Sequence, residues 1–426
     1  MSLLNSLYSG VSGLNTNSQE LSIVGDNIAN ANTIGFKASR AVFEEILGQN
    51  LPGSQLGQGE IGLGARLAAV QRIMTQGALT TTGLSTDMAI QGRGFFIAKA
   101  EDGSNLYTRA GQFTIDENGI LSTLSGMPVQ GFTADSTGNV GGLLGDIQIG
   151  EATSQPNPTS EIILKGNLDP SSAIQTFDIA DADNTSSFSQ SMTVFDSLGT
   201  AIEVTTFFNR TADGEWEYHV TTDGENQQGG TPGELVEIAS GTLSYDTEGK
   251  LTDHTVVAEN FLPVGANQPQ SLGINFGDPI PPGTGLEGMT QFAGTSAIDF
   301  VNQNGYEAGT LANLSINEEG VVIGAFSNGQ TRQLAQVGVA DFSSPDRLER
   351  LGNNLFRAND GTGSPNIGGA NSGGRGRLIA GALEQSNVEL ASEFIRMIVA
   401  QRGFQANSKT VQTSDQLLSE LIQLKR

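Results

Sequence analysis

Only two histidines, His219 and His254, occur in 426 residues, and there is no cysteine. The missing thiols remove disulfides, thiolate zinc sites and cysteine nucleophiles together, and leave the redox compartment open. Neither histidine sits in an H-E-x-x-H or other paired-ligand setting. His219 falls in Glu215-Trp216-Glu217-Tyr218-His219-Val220, an alternating stretch that reads as a strand carrying a surface or half-buried imidazole. Serine and aspartate abound, but no G-x-S-x-G elbow presents a nucleophile, and no Walker A run is present. Gly57, Gly59 and Gly62 spell G-x-G-x-x-G. A dinucleotide site needs a buried strand before that turn, whereas Gln49 to Leu56 is polar and interrupted by Pro52. A linker is the better reading. No catalytic group, metal ligand or cofactor is expected, and the chain reads as a structural protein, not an enzyme.

The strongest pattern lies at the two ends. Positions 3, 7, 10, 14, 17, 21, 24 and 28 step alternately by four and three, and hold Leu3, Leu7, Leu14, Leu21, Val24 and Ile28, interrupted by Gly10 and Asn17. The same step runs through Leu390, Phe394, Met397, Phe404, Val411, Leu418 and Ile422, interrupted by Gln401, Ser408 and Asp415. Each stripe has the spacing of a coiled-coil seam and is expected to be an assembly interface. A helix from Val388 to Leu424 would run roughly 55 Å at about 1.5 Å per residue, too long to cover itself on a modest domain. Its stripe needs partners, either in other copies or in the opposite end of the same chain. Ser386 and Glu389 fit a capping box at its start, and Lys425 and Arg426 place positive charge at the carboxyl end of its dipole. Gly10, Gly13, Gly25 and Gly403 each cost roughly 1 kcal/mol of helix propensity relative to alanine.

Charge is distributed unevenly. Of the net −25, the segments 1–70 and 375–426 together contribute nothing, and the whole excess lies between them, where 36 acidic side chains face 11 basic ones. An acidic middle gains nothing from counterion release, which argues against nucleic acid and anionic membrane as partners. Neutral ends can pack against copies of themselves. No apolar run is long enough for a membrane span, and the first basic residue is Lys37, so the positive start of a secretory signal is missing. If the protein is secreted, an export route without a cleaved signal peptide is expected.

Glycine at 56 residues with dense Ser, Thr and Asn indicates short strands and tight turns through the middle. One unit recurs: strand end, Asp or Asn, two residues, Gly, strand. It is centred on Asp116 to Gly119, Asp135 to Gly138, Asp196 to Gly199, Asp246 to Gly249 and Asn317 to Gly320. The carboxyl or amide group can cap the turn amides while glycine takes the left-handed position, and none of the five carries the ligand series of a calcium loop. Pro- and Gly-rich breaks at Gln155 to Thr159 and Asp278 to Gly285 suggest an insertion. The fold expected is therefore multidomain. Residues 1–35 and 380–426 form a helical coiled-coil core, 36–75 an extended linker, and 76–146 with 289–375 a first all-β domain. Nested inside that by insertion is an outer β domain, 147–288.

Several of these segments resemble a known family. Ser12-Gly-Leu-Asn with Asp26-Asn-Ile-Ala-Asn-Ala-Asn-Thr-Ile-Gly-Phe-Lys37 is similar to the N-terminal signature of the bacterial flagellar axial proteins, the subunits of rod and hook. Gly381-Ala-Leu-Glu-Gln-Ser-Asn-Val-Glu-Leu390 and Met397-Ile-Val-Ala-Gln-Arg-Gly-Phe-Gln-Ala-Asn407 resemble their C-terminal signature. Ala89-Ile-Gln-Gly-Arg-Gly-Phe-Phe96 and Thr108-Arg-Ala-Gly-Gln-Phe-Thr-Ile-Asp116 are common to rod and hook. Thr193 to Gly199, Asn304 to Gly309 and Phe326 to Thr331 are similar to the hook branch. The near alternative in the family, the distal rod protein, is shorter and lacks the inserted domain; the alternative outside it is an acidic secreted adhesin.

The resemblance implies a subunit that self-assembles into a helical tube, its terminal helices innermost and its β domains outward. It implies a flexible joint passing torque from the basal-body rod to the filament and enclosing the export channel. Implied partners are copies of the chain, the distal rod protein, the hook cap protein, the hook–filament junction proteins and the flagellar type III export apparatus. The implied location is the extracellular hook.

Overall fold

A long helix lies at each end of the chain, and between them the described residues form short strands joined by turns and loops, with a four-residue helix at Ala182–Thr185. The computed structural model describes residues 2–46, 49–50, 60–135, 138–150 and 153–424. It divides into two compact units, the first made of 1–152, 313–325 and 331–426 and the second of 153–312 and 326–330.

In the first unit, α1 spans Ser2–Ala29 and α2 spans Leu390–Leu424. Between α1 and the β body runs a two-stranded antiparallel ladder, β1 (Ser39–Glu45) on β2 (Ala65–Arg72), with a bulge between Val42 and Phe43. The segment read as a glycine-rich extended link is thus ordered in its described parts. The β-branched and aromatic pair Val42-Phe43 suits a ladder, and Gly64 fastens it to α1: its φ is +104°, and a Cβ there would strike the Ser12 hydroxyl, which accepts the Ala65 amide at 3.3 Å. Gly48, Gly53, Gly57 and Gly59 lie outside the described residues.

The β body of this unit is built around the long strand Thr331–Asp341, which pairs antiparallel with Phe95–Lys99, Gln130–Ala134 and Asn366–Gly369. Beyond Phe95–Lys99 the sheet continues through Asn105–Thr108 to Leu355–Arg357. Phe95, Ile97, Tyr107, Phe342, Leu348 and Phe356 form its core. Their rings meet edge to face, Phe95 on Phe342 and Phe356 at 5.9 Å and Tyr107 on Phe342 at 4.8 Å between centroids.

The second unit sets a five-stranded antiparallel meander, from Phe188–Phe195 to Leu251–Glu259, against a smaller sheet in which Glu161–Asn167 pairs with Ala297–Gln303. Both sheets bury apolar side chains in one core, with Trp216, Tyr218, Phe208, Phe261 and Phe276 at its centre. His219 faces away from this core, its Nδ1 2.7 Å from Glu237 Oε2 and its ring stacked on Phe177 at 4.1 Å.

The recurrent turns work as their residue types require. Asp116, Asp196 and Asp246 each place one carboxylate oxygen on two backbone amides two and four residues ahead, at 2.8–2.9 Å. Asp135 and Asn317 do so for the fourth residue, at 2.9 and 2.8 Å. The glycine of each turn has φ between +75° and +87°. These oxygens serve the backbone. Asp246→Ala therefore removes two charge-assisted hydrogen bonds from the second unit and should cost about 1–3 kcal/mol. Trp216, the only tryptophan and fully buried in that unit, reports the loss as a lower denaturant midpoint. An unchanged midpoint would mean that glycine alone holds the turn.

Candidate functional site

Three sequence motifs far apart in the chain converge where the helices join the β body. Lys37 ends the N-terminal signature, Arg109 belongs to Thr-Arg-Ala-Gly and Glu384 to Gly-Ala-Leu-Glu. The Glu384 carboxylate accepts Lys37 Nζ at 2.6 Å on one oxygen and Arg109 Nη1 at 3.0 Å on the other. All three side chains are buried, those of Lys37 and Glu384 being 1% and 0% exposed. Two cations against one anion leave a surplus positive charge, and backbone carbonyls absorb it. Lys37 also donates to Thr75 O at 2.8 Å, and Arg109 to Ile90 O at 3.1 Å and Gly92 O at 2.6 Å. The Gly77 amide adds a third donor to Glu384 at 2.9 Å. Burial pushes both Lys37 and Arg109 below their ordinary ranges, and the Glu384 charge opposes that push in each.

Backbone packing fixes the same crossing. Gly35, at φ +70°, donates to Glu384 O at 2.7 Å, and a Cβ there would lie 2.5 Å from the Ala110 amide. A Cβ on Gly111 would overlap the Met88 carbonyl. Two asparagines tie the helix ends to the ladder. Asn27, fully buried, exchanges two hydrogen bonds with the Ser39 backbone at 2.8 and 2.9 Å and donates to Glu393 at 3.3 Å. Asn387 accepts the Ala38 amide at 2.7 Å and donates to Ile73 O at 2.8 Å. This pinning explains a departure from the expected capping box. Ser386 Oγ accepts the Val388 amide at 3.3 Å, and α2 begins at Leu390, after the extended lead-in that Asn387 holds. Lys425 and Arg426 lie outside the described residues.

The helices pack antiparallel, Gly10 beside Val411 and Gly13 beside Asn407, while Gly403 faces Asn17. The contact is reciprocal. Asn17 Nδ2 donates to Gly13 O at 2.6 Å, four residues back, and Asn407 Nδ2 donates to Gly403 O at 2.9 Å. A Cβ at Gly13 would lie 2.6 Å from the Asn407 amide group, and one at Gly403 2.5 Å from that of Asn17. Three glycines that look like weaknesses in isolated helices are therefore where the two backbones approach. Gly25 has no neighbour of this kind.

On α1 the stripe faces inward, with Val24 buried and Leu7, Leu14, Leu21 and Ile28 half-buried. On α2 it divides. Met397, Val411 and Leu418 are half-buried, but Leu390, Phe394 and Phe404 are exposed, and the fully buried positions are the small or polar Glu393, Ala400 and Ser414. Ile395, Ile398 and Val399 extend the open apolar face, Val399 at 65% exposure. Leu3 and Ile422 lie on the helices, with side chains outside the described set. Of the G-x-G-x-x-G run, Gly57 and Gly59 lie outside the described residues, and the segment after Gly62 enters a strand, not a helix. Sequence reasoning missed Lys37, Arg109 and Glu384 as a unit; their places inside three separate motifs were the available signal.

A β-rich body with paired terminal helices, joined by a buried ion cluster and presenting apolar helix surface, has the architecture of a structural assembly protein. The comparisons agree along the whole length. Residues 7–37 match the flagella basal body rod protein family, 89–163 the flagellar hook protein FlgE/F/G D1 domain, 163–306 the flagellar basal body protein FlaE D2 domain, and 379–424 the flagellar basal body rod FlgEFG C-terminal family. The flagellar hook protein FlgE of Escherichia coli K12 is 34% identical over 97% of this chain and 98% of its own. That of Treponema pallidum is 34% identical over the full length of both, and that of Salmonella typhimurium 34% over 99% of this chain and all of its own. The chain belongs to the flagellar hook protein family.

Glu384→Gln leaves two buried cations without their counter-charge and should cost about 3–5 kcal/mol, felt in the first unit alone. Circular dichroism should show early loss of helix while the Trp216 fluorescence transition stays in place; coincident shifts would refute a local role. Gly403→Ala should also weaken the helix pair, although alanine raises helix propensity by roughly 1 kcal/mol, because Asn17 is held by Gly13 and cannot swing away. Adding Asn17→Ala should restore helix stability, and failure to do so would show that the close approach is not what glycine serves.

Proposed function

We propose that the chain is the structural subunit of a bacterial flagellar hook, self-assembling into a flexible curved tube that transmits torque from rod to filament and encloses the export channel. The observation that carries this is the open apolar face of α2, at Leu390, Phe394, Ile395, Ile398, Val399 and Phe404, on a chain whose β units bury their own cores. A single copy leaves that face in water, and copies of the chain would cover it. In this reading the stripes of α1 and α2 form the coiled-coil inner core. The β regions, including the inserted one at 147–288, stand outside it, a division supported by a compact second unit at 153–312 and 326–330. Its other partners are the distal rod, hook cap and hook–filament junction proteins and the type III export apparatus, which carries it out without a cleaved signal peptide.

The test is Phe394→Asp with Ile398→Asp. Both side chains are exposed in the single chain, so thermal unfolding of the soluble variant should match the wild type. Burying two unpaired carboxylates at each contact would cost several kcal/mol, and tubes should vanish from sedimentation and electron microscopy. Tubes of normal yield would sink the assignment of this face.

A further inference from the structure

Three Asn–Gly pairs occur in the described residues, at Asn118, Asn304 and Asn328, and their side chains are held very differently. Asn304 accepts the Ser160 and Glu161 amides at 2.9 and 3.1 Å and donates to Ser160 Oγ at 2.8 Å. Asn328 donates to Ser154 Oγ at 3.2 Å and Glu307 O at 2.8 Å and accepts the Gln330 amide at 3.1 Å. Asn118 is exposed at the tip of the hairpin joining Phe113–Ile115 to Leu121–Thr123, and its carboxamide has no partner among the described residues. Asn304 is also exposed, so exposure does not distinguish them. The clamp does.

We propose that Asn118 is the protein's site of spontaneous conversion to aspartate and isoaspartate. The Gly119 nitrogen, with no side chain beside it but donating to Asp116 O at 3.0 Å, leaves that bond, attacks Asn118 Cγ and loses its proton as the carboxamide C–N bond breaks and ammonia leaves. Water then opens the cyclic imide at either carbonyl, returning the normal backbone as aspartate or a backbone longer by one methylene as isoaspartate. Attack needs a carboxamide free to rotate toward that nitrogen. At Asn304 and Asn328 it must first break its hydrogen bonds, which slows the reaction by on the order of tenfold or more.

The hairpin tip has a second role that the longer backbone would disturb. Gly119 O accepts the Ile149 and Gly150 amides at 2.7 and 2.9 Å. The two backbones approach so closely that a Cβ on Gly119 would lie 2.6 Å from Gly150 Cα. An isoaspartyl linkage moves Gly119 out of this contact and releases the Ile149 and Gly150 amides.

The experiment incubates the full chain at mildly alkaline pH, folded and in denaturant, and maps the three peptides by mass spectrometry with isoaspartyl methyltransferase labelling. Folded protein should convert Asn118 at least about tenfold faster than Asn304 or Asn328, the three rates should draw together in denaturant, and Asn118→Gln should abolish the fast phase. Amide exchange on aged protein should show lost protection at Ile149 and Gly150. Equal rates in the folded state, or Asn304 or Asn328 converting first, would overturn the site. Full protection at Ile149 and Gly150 in converted protein would overturn its consequence.

Discussion

One carboxylate anchors the joint between the helical ends and the β body. Glu384 meets Lys37 from the end of the N-terminal signature and Arg109 from the sheet, so three chain segments share a single anion in a dry site. Attraction between charges gains strength where water is excluded, and so does the penalty for leaving any of them unpaired. The arrangement therefore tolerates only one relative placement of its three strands of chain. Surplus cation is met by carbonyls of Thr75, Ile90 and Gly92, which belong to the backbone and cannot rotate away. Arg109 also lies over the Phe95 ring, 5.4 Å from its centre, so the ion cluster is continuous with the aromatic core of the first unit.

With the joint fixed, the helix pair inherits its direction and register. Asn27 and Asn387 hold the two helix ends to the β1–β2 ladder, and the reciprocal Gly13–Asn407 and Gly403–Asn17 contacts carry the alignment outward. Small residues at this seam let the two backbones approach, and α2 keeps Leu390, Phe394, Ile395, Ile398, Val399 and Phe404 on its outside. A pair held by Phe394 and Phe404 would have closed the surface that copies of the chain cover in the assembly proposed above.

How much of this was legible depended on distance along the chain. The Asx turns were, because carboxylate, amides and glycine all lie within four residues, so local chemistry decides them. The existence of both helices was, because apolar spacing survives in any context. The ion cluster was not: its partners stand 347 and 275 residues apart, and Lys37 by itself registers only as a first positive charge. The facing side of α2 was not either. Counting apolar residues selects Phe394 and Phe404, while the buried line is Glu393, Ala400 and Ser414, since close approach rewards small side chains and hydropathy does not score them. Ser386 fitted a capping box in pattern, but Asn387, tied to Ala38 and Ile73 beside the ladder, set where the helix could begin.

The placement of charge completes the physical picture of a tube that bends. In the assembly proposed above, attraction between copies is concentrated on helices whose segments, 1–70 and 375–426, together carry no net charge, while the excess of 25 negative charges lies in residues 71–374. Like charges on neighbouring β regions repel over roughly 10 Å at 0.1 M salt, far enough to resist tight association and too short to oppose the helix contacts. In that reading apolar helix contacts hold the copies together, and the mutually repelling acidic regions are left to shift against one another. A joint that must flex at every turn without opening needs that separation of roles.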